Sequence, residues 1–211
     1  MKKIEVRGTQ QHSGYVFNGT CPHCGRVASF ESIPNSVDLH INPNHILGHR
    51  RCPNRECNGY IFCGMIDNGT EFVTFPRQRI DFDKSSIPAK IVGHLEEAIT
   101  THAEGCFTAS AMMIRRAIEE VCHDKEAKGE VLKDRIKALR DKVTLPERLF
   151  TGIDNLRLLG NDAAHVDAKD YDNIGKDETS IGIQLAKEIL KSIYQYDDLV
   201  AKLEALKVKT P

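Results

Sequence analysis

Four cysteines carry the clearest chemistry in the sequence. Cys21-Pro22-His23-Cys24 is one short-spaced pair and Cys52-Pro53-Asn54-Arg55-Glu56-Cys57 is the other, with 27 residues between Cys24 and Cys52. Each pair closes a tight knuckle, and the spacer is long enough to fold back and bring the knuckles together around a tetrahedral Zn²⁺. Four thiolates suit that soft ion, and with cysteine in all four positions no site is open to water. The spacing therefore predicts a structural zinc on Cys21, Cys24, Cys52 and Cys57. Free or disulfide-bonded cysteines are the alternative, and a reducing cytosol weighs against disulfides. Cys63 is a substitute ligand by type, but it sits in the apolar run Tyr60-Ile61-Phe62-Cys63 and reads as core. His23, inside the first knuckle, is expected on the surface.

The elements that hold the knuckles are short. Strand-like runs lie at Lys3–Arg7, Tyr15–Asn18, Val27–Ser32, Ile46–Arg51, Tyr60–Ile66 and Glu71–Phe75, separated by turn formers such as Asn42-Pro43-Asn44 and Asn68-Gly69. Asn68-Gly69 predicts a hairpin between the last two. So few strands bury little apolar surface. A bound zinc, with about 10–16 kcal/mol of apparent binding free energy, takes over part of the role of a core.

The whole chain, 211 residues with 40% hydrophobic and 28% charged content, has the makeup of a soluble globular protein of one or two domains. No apolar run reaches the roughly 18 residues of a membrane span, and the N-terminus leads into a strand rather than a signal-peptide core. A cytoplasmic protein is the expectation. Net charge is −1, with 9 Lys+Arg against 6 Asp+Glu in residues 1–80 and 20 against 24 in residues 81–211. That balance excludes strong non-specific duplex binding and leaves room for local basic stripes such as Arg50, Arg51 and Arg55.

Beyond Pro76 the pattern changes. Residues 76–88 read as an ordered linker, with Ser86 as an N-cap and Pro88 in the first turn. Apolar residues then recur at helical spacing over about 87–103, 106–124, 129–142, 145–165 and 178–207, the last with Ile181, Leu185, Ile189, Ile193, Val200 and Leu203 on one face. The expected architecture is α+β: a β-rich zinc ribbon over residues 1–80, then an all-α bundle over residues 81–211.

Two polar places stand out in the helical half. Arg115 and Arg116 are adjacent, about 100° apart on a helix, and both are within pairing reach of Glu119. Arg157, Asn161 and His165 fall at i, i+4 and i+8, with Gly160 between them as a place where the helix is expected to kink or end. An arginine that holds phosphoryl oxygens and an imidazole that moves protons near neutral pH suit phosphate chemistry. A solvated salt bridge and an interface hydrogen bond are the bland readings of the same residues.

The run Phe82–Pro88, Glu97-Ala98, Arg115–Glu119, Ala127-Lys128-Gly129, Leu132 and Gly160-Asn161-Asp162-Ala163-Ala164-His165 resembles the domain-of-unknown-function family 4145 over about residues 82–205. That family is similar to the wider HEPN superfamily. The resemblance implies a helical fold, a homodimer, and RNA as substrate or partner. It implies either a metal-independent endoribonuclease of defence or stress systems or a non-catalytic module binding nucleic acid or a partner protein. On that resemblance His165 is the proton-transfer group, Asn161 orients a phosphate, and Arg157 or Arg116 supplies the cation. The HEPN motif has a shorter gap between its arginine and histidine than the seven residues 158–164 found here, and Leu158 stands where a polar residue is usual.

Overall fold

In the computed structural model the described residues are 6–11, 16–42, 45–66, 71–165, 171 and 173–207. They form two compact units, residues 1–81 and 82–211. The N-terminal unit is a β region and the C-terminal unit a set of five helical rods, an α+β chain overall.

Seven strands build the first unit: β1 Gly8–Gln11, β2 Phe17–Thr20, β3 Val27–Phe30, β4 Val37–Asn42, β5 His45–Arg51, β6 Tyr60–Ile66 and β7 Glu71–Phe75. Five make an antiparallel sheet in the order β1-β4-β5-β6-β7, and β2 pairs with β3 as a separate ribbon. The apolar cluster joins the two: Phe17 and Phe30 from the ribbon stack at 5.3 Å and bury with Ile61 and Cys63 of β6. Strands β6 and β7 fall where the sequence predicts them, whereas β1 and β4 lie outside every predicted run. The predicted strand Lys3–Arg7 and the Asn68-Gly69 turn lie mainly outside the described residues.

β4 escapes an apolar pattern because its inward side chains are polar. Asp38 faces Gly48 across the β4–β5 pair and accepts two hydrogen bonds, each 2.9 Å, from Nη1 and Nη2 of Arg50. Both side chains are almost fully buried, at 1% and 4% exposure. A Cβ on Gly48 would collide with the Asp38 carboxylate and reach within 2.7 Å of Arg50, so only glycine fits there. Burial alone would lower the Arg50 pKa. The Asp38 hydrogen bonds overcome it and the net shift is upward, so this guanidinium stays charged. Removing one partner of such a pair costs about 3–5 kcal/mol. Arg50 is thereby corrected from a surface cation to a core residue.

The helical unit comprises α1 Ala89–Ala103, α2 Phe107–Asp124, α3 Leu132–Leu139, α4 Glu147–Ala164 and α5 Lys176–Leu190. The last continues through a π-helical turn, Lys191–Gln195, into α6 Tyr196–Ala205. α2 is the central rod, packed on α1, α4, α5 and α3. Its Ile114, Ile118 and Val121 are buried, as are Leu95 of α1, Ile153 of α4 and Ile183 of α5. The face expected for the last helix is met in part: Ile189 is buried and Leu185 and Ile193 are half-buried. Ile181, Val200 and Leu203 are exposed, and Thr179, Gly182, Ile183, Ala186, Ile189 and Leu190 are the buried set. Stepping by four residues drifts about 40° per step, and the small pair Gly182 and Ala186 marks the true contact line.

The segment before α1 is tied down from the far end of the chain. Buried Gln195, in the π turn, donates its amide hydrogens to the carbonyls of Asp83 and Ser85, at 3.2 and 3.1 Å. Ser86 does not cap α1, whose N-cap is Pro88. It sits at φ +60 and donates its hydroxyl to Asp198 instead. Among the described residues no helix is long and apolar enough to cross a membrane.

Candidate functional site

The metal-type donors converge in the first unit. The knuckle Cys21–Cys24 bridges β2 and β3, and the knuckle Cys52–Cys57 bridges β5 and β6. Backbone bonds shape both: Gly25 N–H to Cys21 O at 2.9 Å with Gly25 at φ +72, and Cys57 N–H to Asn54 O at 3.0 Å followed by Asn58 at φ +51. All four sulfurs lie within 4.8 Å of one another. Cys21 and Cys57 Sγ are 3.9 Å apart, Cys24 and Cys52 Sγ 3.8 Å. Those separations are far longer than a disulfide's roughly 2.05 Å. They match the roughly 3.8 Å edge of a tetrahedron with metal–sulfur bonds of about 2.3 Å. The four cysteines are therefore a plausible metal site. Cys63 stays in the apolar cluster, where burial raises its thiol pKa.

The four thiols sit in unlike surroundings. A backbone hydrogen bond from Arg26 lowers Cys24 to about 6 against the opposing effect of burial, and Asn54 adds to the lowering. Burial pushes Cys52 up to about 12. A divalent ion at the centre stabilises all four thiolates together. His23 is exposed, as expected, and is also a buttress. Its Nε2–H donates to Tyr60 O at 2.8 Å, over a Gly59 that has no room for a side chain.

The second site is a polar seam between α2 and α4. α4 runs through Gly160 to Ala164, so Gly160 does not end it. The glycine makes room for Arg115. A Cβ there would strike the Arg115 Cβ and approach its Cδ to 2.9 Å. Laid across that gap, Arg115 donates to Asn161 Oδ1, to Arg157 O at 3.4 Å and to Glu119 Oε1 at 3.1 Å. Arg116 points outward and meets the other Glu119 oxygen at 3.1 Å. Arg157 is mostly covered and donates to Asp154 Oδ1 at 2.7 Å. His165 caps α4 in extended backbone, exposed, its N–H on Asn161 O at 2.9 Å.

Of the residues singled out from sequence, Asn161 and His165 thus share the end of α4. The guanidinium that reaches Asn161 belongs to Arg115; all three arginines also meet a carboxylate, Arg115 and Arg116 that of Glu119 and Arg157 that of Asp154. Two adjacent arginines cannot be told apart by spacing; which of them meets Gly160 is set by how α2 and α4 pack. Asp162, beside Asn161, accepts the Tyr171 N–H at 2.6 Å while its buried Oδ1 has no partner among the described residues. A cavity of about 550 Å³ opens separately between α2 and α3, lined by Cys122, His123, Lys128, Gly129 and Arg135 among others.

A family model described as a domain of unknown function (DUF4145) matches residues 96–209. No curated protein and no solved structure matches the chain. The seam lies within the matched segment and the cysteine cluster outside it. Adding a methyl group at the crossing is expected to force Arg115 off Asn161. Gly160→Ala should destabilise the helical unit by about 1–3 kcal/mol despite its better helix propensity, read as a lower denaturation midpoint.

Proposed function

The chain belongs to the DUF4145 family, and on that premise we propose that it is an RNA-associated protein with a zinc-stabilised β unit and a HEPN-like helical unit that engages RNA phosphates at the α2–α4 seam. One observation carries the reading: a buried mid-helix glycine, costly by propensity, is kept where it lets Arg115 reach Asn161, one turn before the exposed His165. Hydrophobic packing has no need of that arrangement. A guanidinium and a side-chain amide together complement a phosphodiester.

Zinc is the ion the donor set favours, because four thiolates select it over harder divalent cations. Protein purified without chelator is expected to carry one zinc per chain by elemental analysis. Cys52→Ser should lose the metal and the β signal while helical circular dichroism persists. Zinc-free protein with an intact β unit would count against the assignment.

The seam reading predicts that Arg115→Ala weakens binding of a single-stranded RNA about tenfold, the size expected for losing one charge-assisted contact. Unchanged affinity, measured by fluorescence anisotropy, overturns it. Cleavage is the second reading, favoured by the exposure of His165 at the helix end. There a ribose 2′-oxygen bonds to phosphorus, the bond from phosphorus to the 5′-oxygen breaks, His165 takes the 2′-hydroxyl proton, and water protonates the departing 5′-oxygen. His165→Ala should then abolish cleavage and leave RNA affinity within a few-fold.

A homodimer through the helical half completes the proposal. Tyr196, Leu199, Val200 and Leu203 form an exposed apolar stripe along α6, which buries no residue of its own. Small residues Ala163 and Ala164 beside the polar face offer a second close-packing point. Light scattering is expected to give twice the chain mass of 23.6 kDa, and a Leu199→Glu/Leu203→Glu double variant to give one chain mass.

A further inference from the structure

The five-stranded sheet has two unlike faces. One carries Asp38, Arg50, Ile61 and Cys63 and is covered by the β2–β3 ribbon. The other carries a row of side chains that runs straight across adjacent strands. Val37 of β4 lies opposite His49 of β5 by the pairing register. His49 is opposite Phe62 of β6, and Phe62 is opposite Phe75 of β7. Directly paired residues on neighbouring strands share a face, so three rings stand in line about 4.8 Å apart per strand. Tyr60 stands in the next row, opposite Arg51.

The ends of this row are open and its middle ring, Phe62, is half-buried. Phe75 is 71% exposed and Tyr60 62%, with His49, Val37 and Arg51 exposed as well. The His49 and Phe62 rings meet edge-on at 5.2 Å, which keeps both upright. Large aromatic rings left in water on a sheet are costly unless something covers them. The charges on this face say what kind of partner fits. Arg51 adjoins Tyr60. The ring row, the Arg51–Tyr60 row and the neighbouring row Thr9, Leu39, Leu47, Gly64 and Val73 hold no carboxylate, and Glu71 of β7, paired with Ile66, stands one row further on. Rings in line with an arginine beside them complement bases that stack and phosphates that run alongside. An apolar protein partner would use the rings but leaves Arg51 beside Tyr60 without a role.

We infer that the open face of this sheet, through Tyr60, Phe62, Phe75, His49 and Arg51, is a stacking platform for single-stranded RNA. The inference rests on the RNA-associated reading but on residues separate from the α2–α4 seam. The second cysteine knuckle feeds this platform. Tyr60 follows the knuckle directly, and its carbonyl is held by His23 of the first knuckle at 2.8 Å. The platform takes any base, since every base offers a flat face, and it excludes duplex, whose bases are already stacked.

The test uses the full chain with its metal and a fluorescent oligouridine. Tyr60→Ala and Phe75→Ala are each expected to weaken binding about tenfold, the typical loss per stacking ring. Phe75→Tyr should keep wild-type affinity, and Arg51→Glu should weaken binding and flatten its salt dependence. Zinc content and denaturation midpoint, unchanged in the ring variants, show that the fold is intact. An abasic strand with the same phosphates should bind far more weakly than oligouridine, and duplex RNA likewise. Equal binding of the abasic strand, or ring variants that bind like wild type, overturns the platform. If binding falls in Arg115→Ala and holds in the ring variants, the seam alone binds RNA and the platform is wrong. Wild-type protein that binds no single strand removes both readings. Ring variants that turn a dimer into a monomer would assign the face to a second copy and overturn the RNA platform.

Discussion

A guanidinium taken out of water must find carboxylate or carbonyl oxygens in the same step, or the burial costs several kcal/mol. The β unit meets that constraint in full and the helical unit, whose Arg115 side chain keeps 26% exposure, in part, with one device. In the β unit Arg50 lies on Asp38 because Gly48 leaves a gap for the pair. In the helical unit Arg115 lies on Asn161 and Glu119 because Gly160 leaves a gap in α4. Each glycine is unfavourable where it stands, in mid-strand or mid-helix. The compensation is a charge fixed in place. In the sheet the result is rigidity around the strands that carry the second knuckle. In the bundle it is a cation set beside an amide near the end of a helix.

The metal site and the sheet reinforce each other. The knuckles are joined by sulfur geometry, and the strands that flank them supply Ile61 and Phe30 to one small cluster. Neither part is large. Cys21 and Cys52 are themselves buried members of that cluster, so ligand and core are partly the same residues. This is why a few short strands suffice to hold a five-stranded sheet in register.

Much of this was readable from the sequence, and the misses have physical causes. Two short cysteine pairs specify a tetrahedral cluster almost by spacing alone, and the long apolar periods of α1, α2 and α4 specify helices. β4 alternates as a strand should, Val37-Asp38-Leu39-His40, but Asp38, one of its polar members, faces inward as the counterion of Arg50. A rule that places apolar residues inside cannot find it. β1, Gly8-Thr9-Gln10-Gln11, has no apolar residue and exists by backbone pairing to β4. At the seam, the choice between Arg115 and Arg116 depends on which one meets Gly160 across the helix crossing, a fact of tertiary packing. The aromatic row was hidden for a similar reason. His49, Phe62 and Phe75 are far apart in sequence and line up only once the strand register is known.

The π turn at Lys191–Gln195 has a consequence for how the protein emerges from the ribosome. Gln195 holds carbonyls 112 and 110 residues upstream. Every cysteine of the cluster precedes residue 58, and β7 ends at Phe75. During synthesis, then, the β unit has all its parts while α2 to α6 are still unmade. The stretch at residues 83–86 cannot be fastened until nearly the last helix is outside. Domains that form in this order fold as separate units, the first without waiting for the second. The late clasp makes closure of the helical unit a long-range event that waits for residue 195 to be made. Until then the finished β unit hangs on an unfastened tether, with time to take up its metal before its neighbour exists.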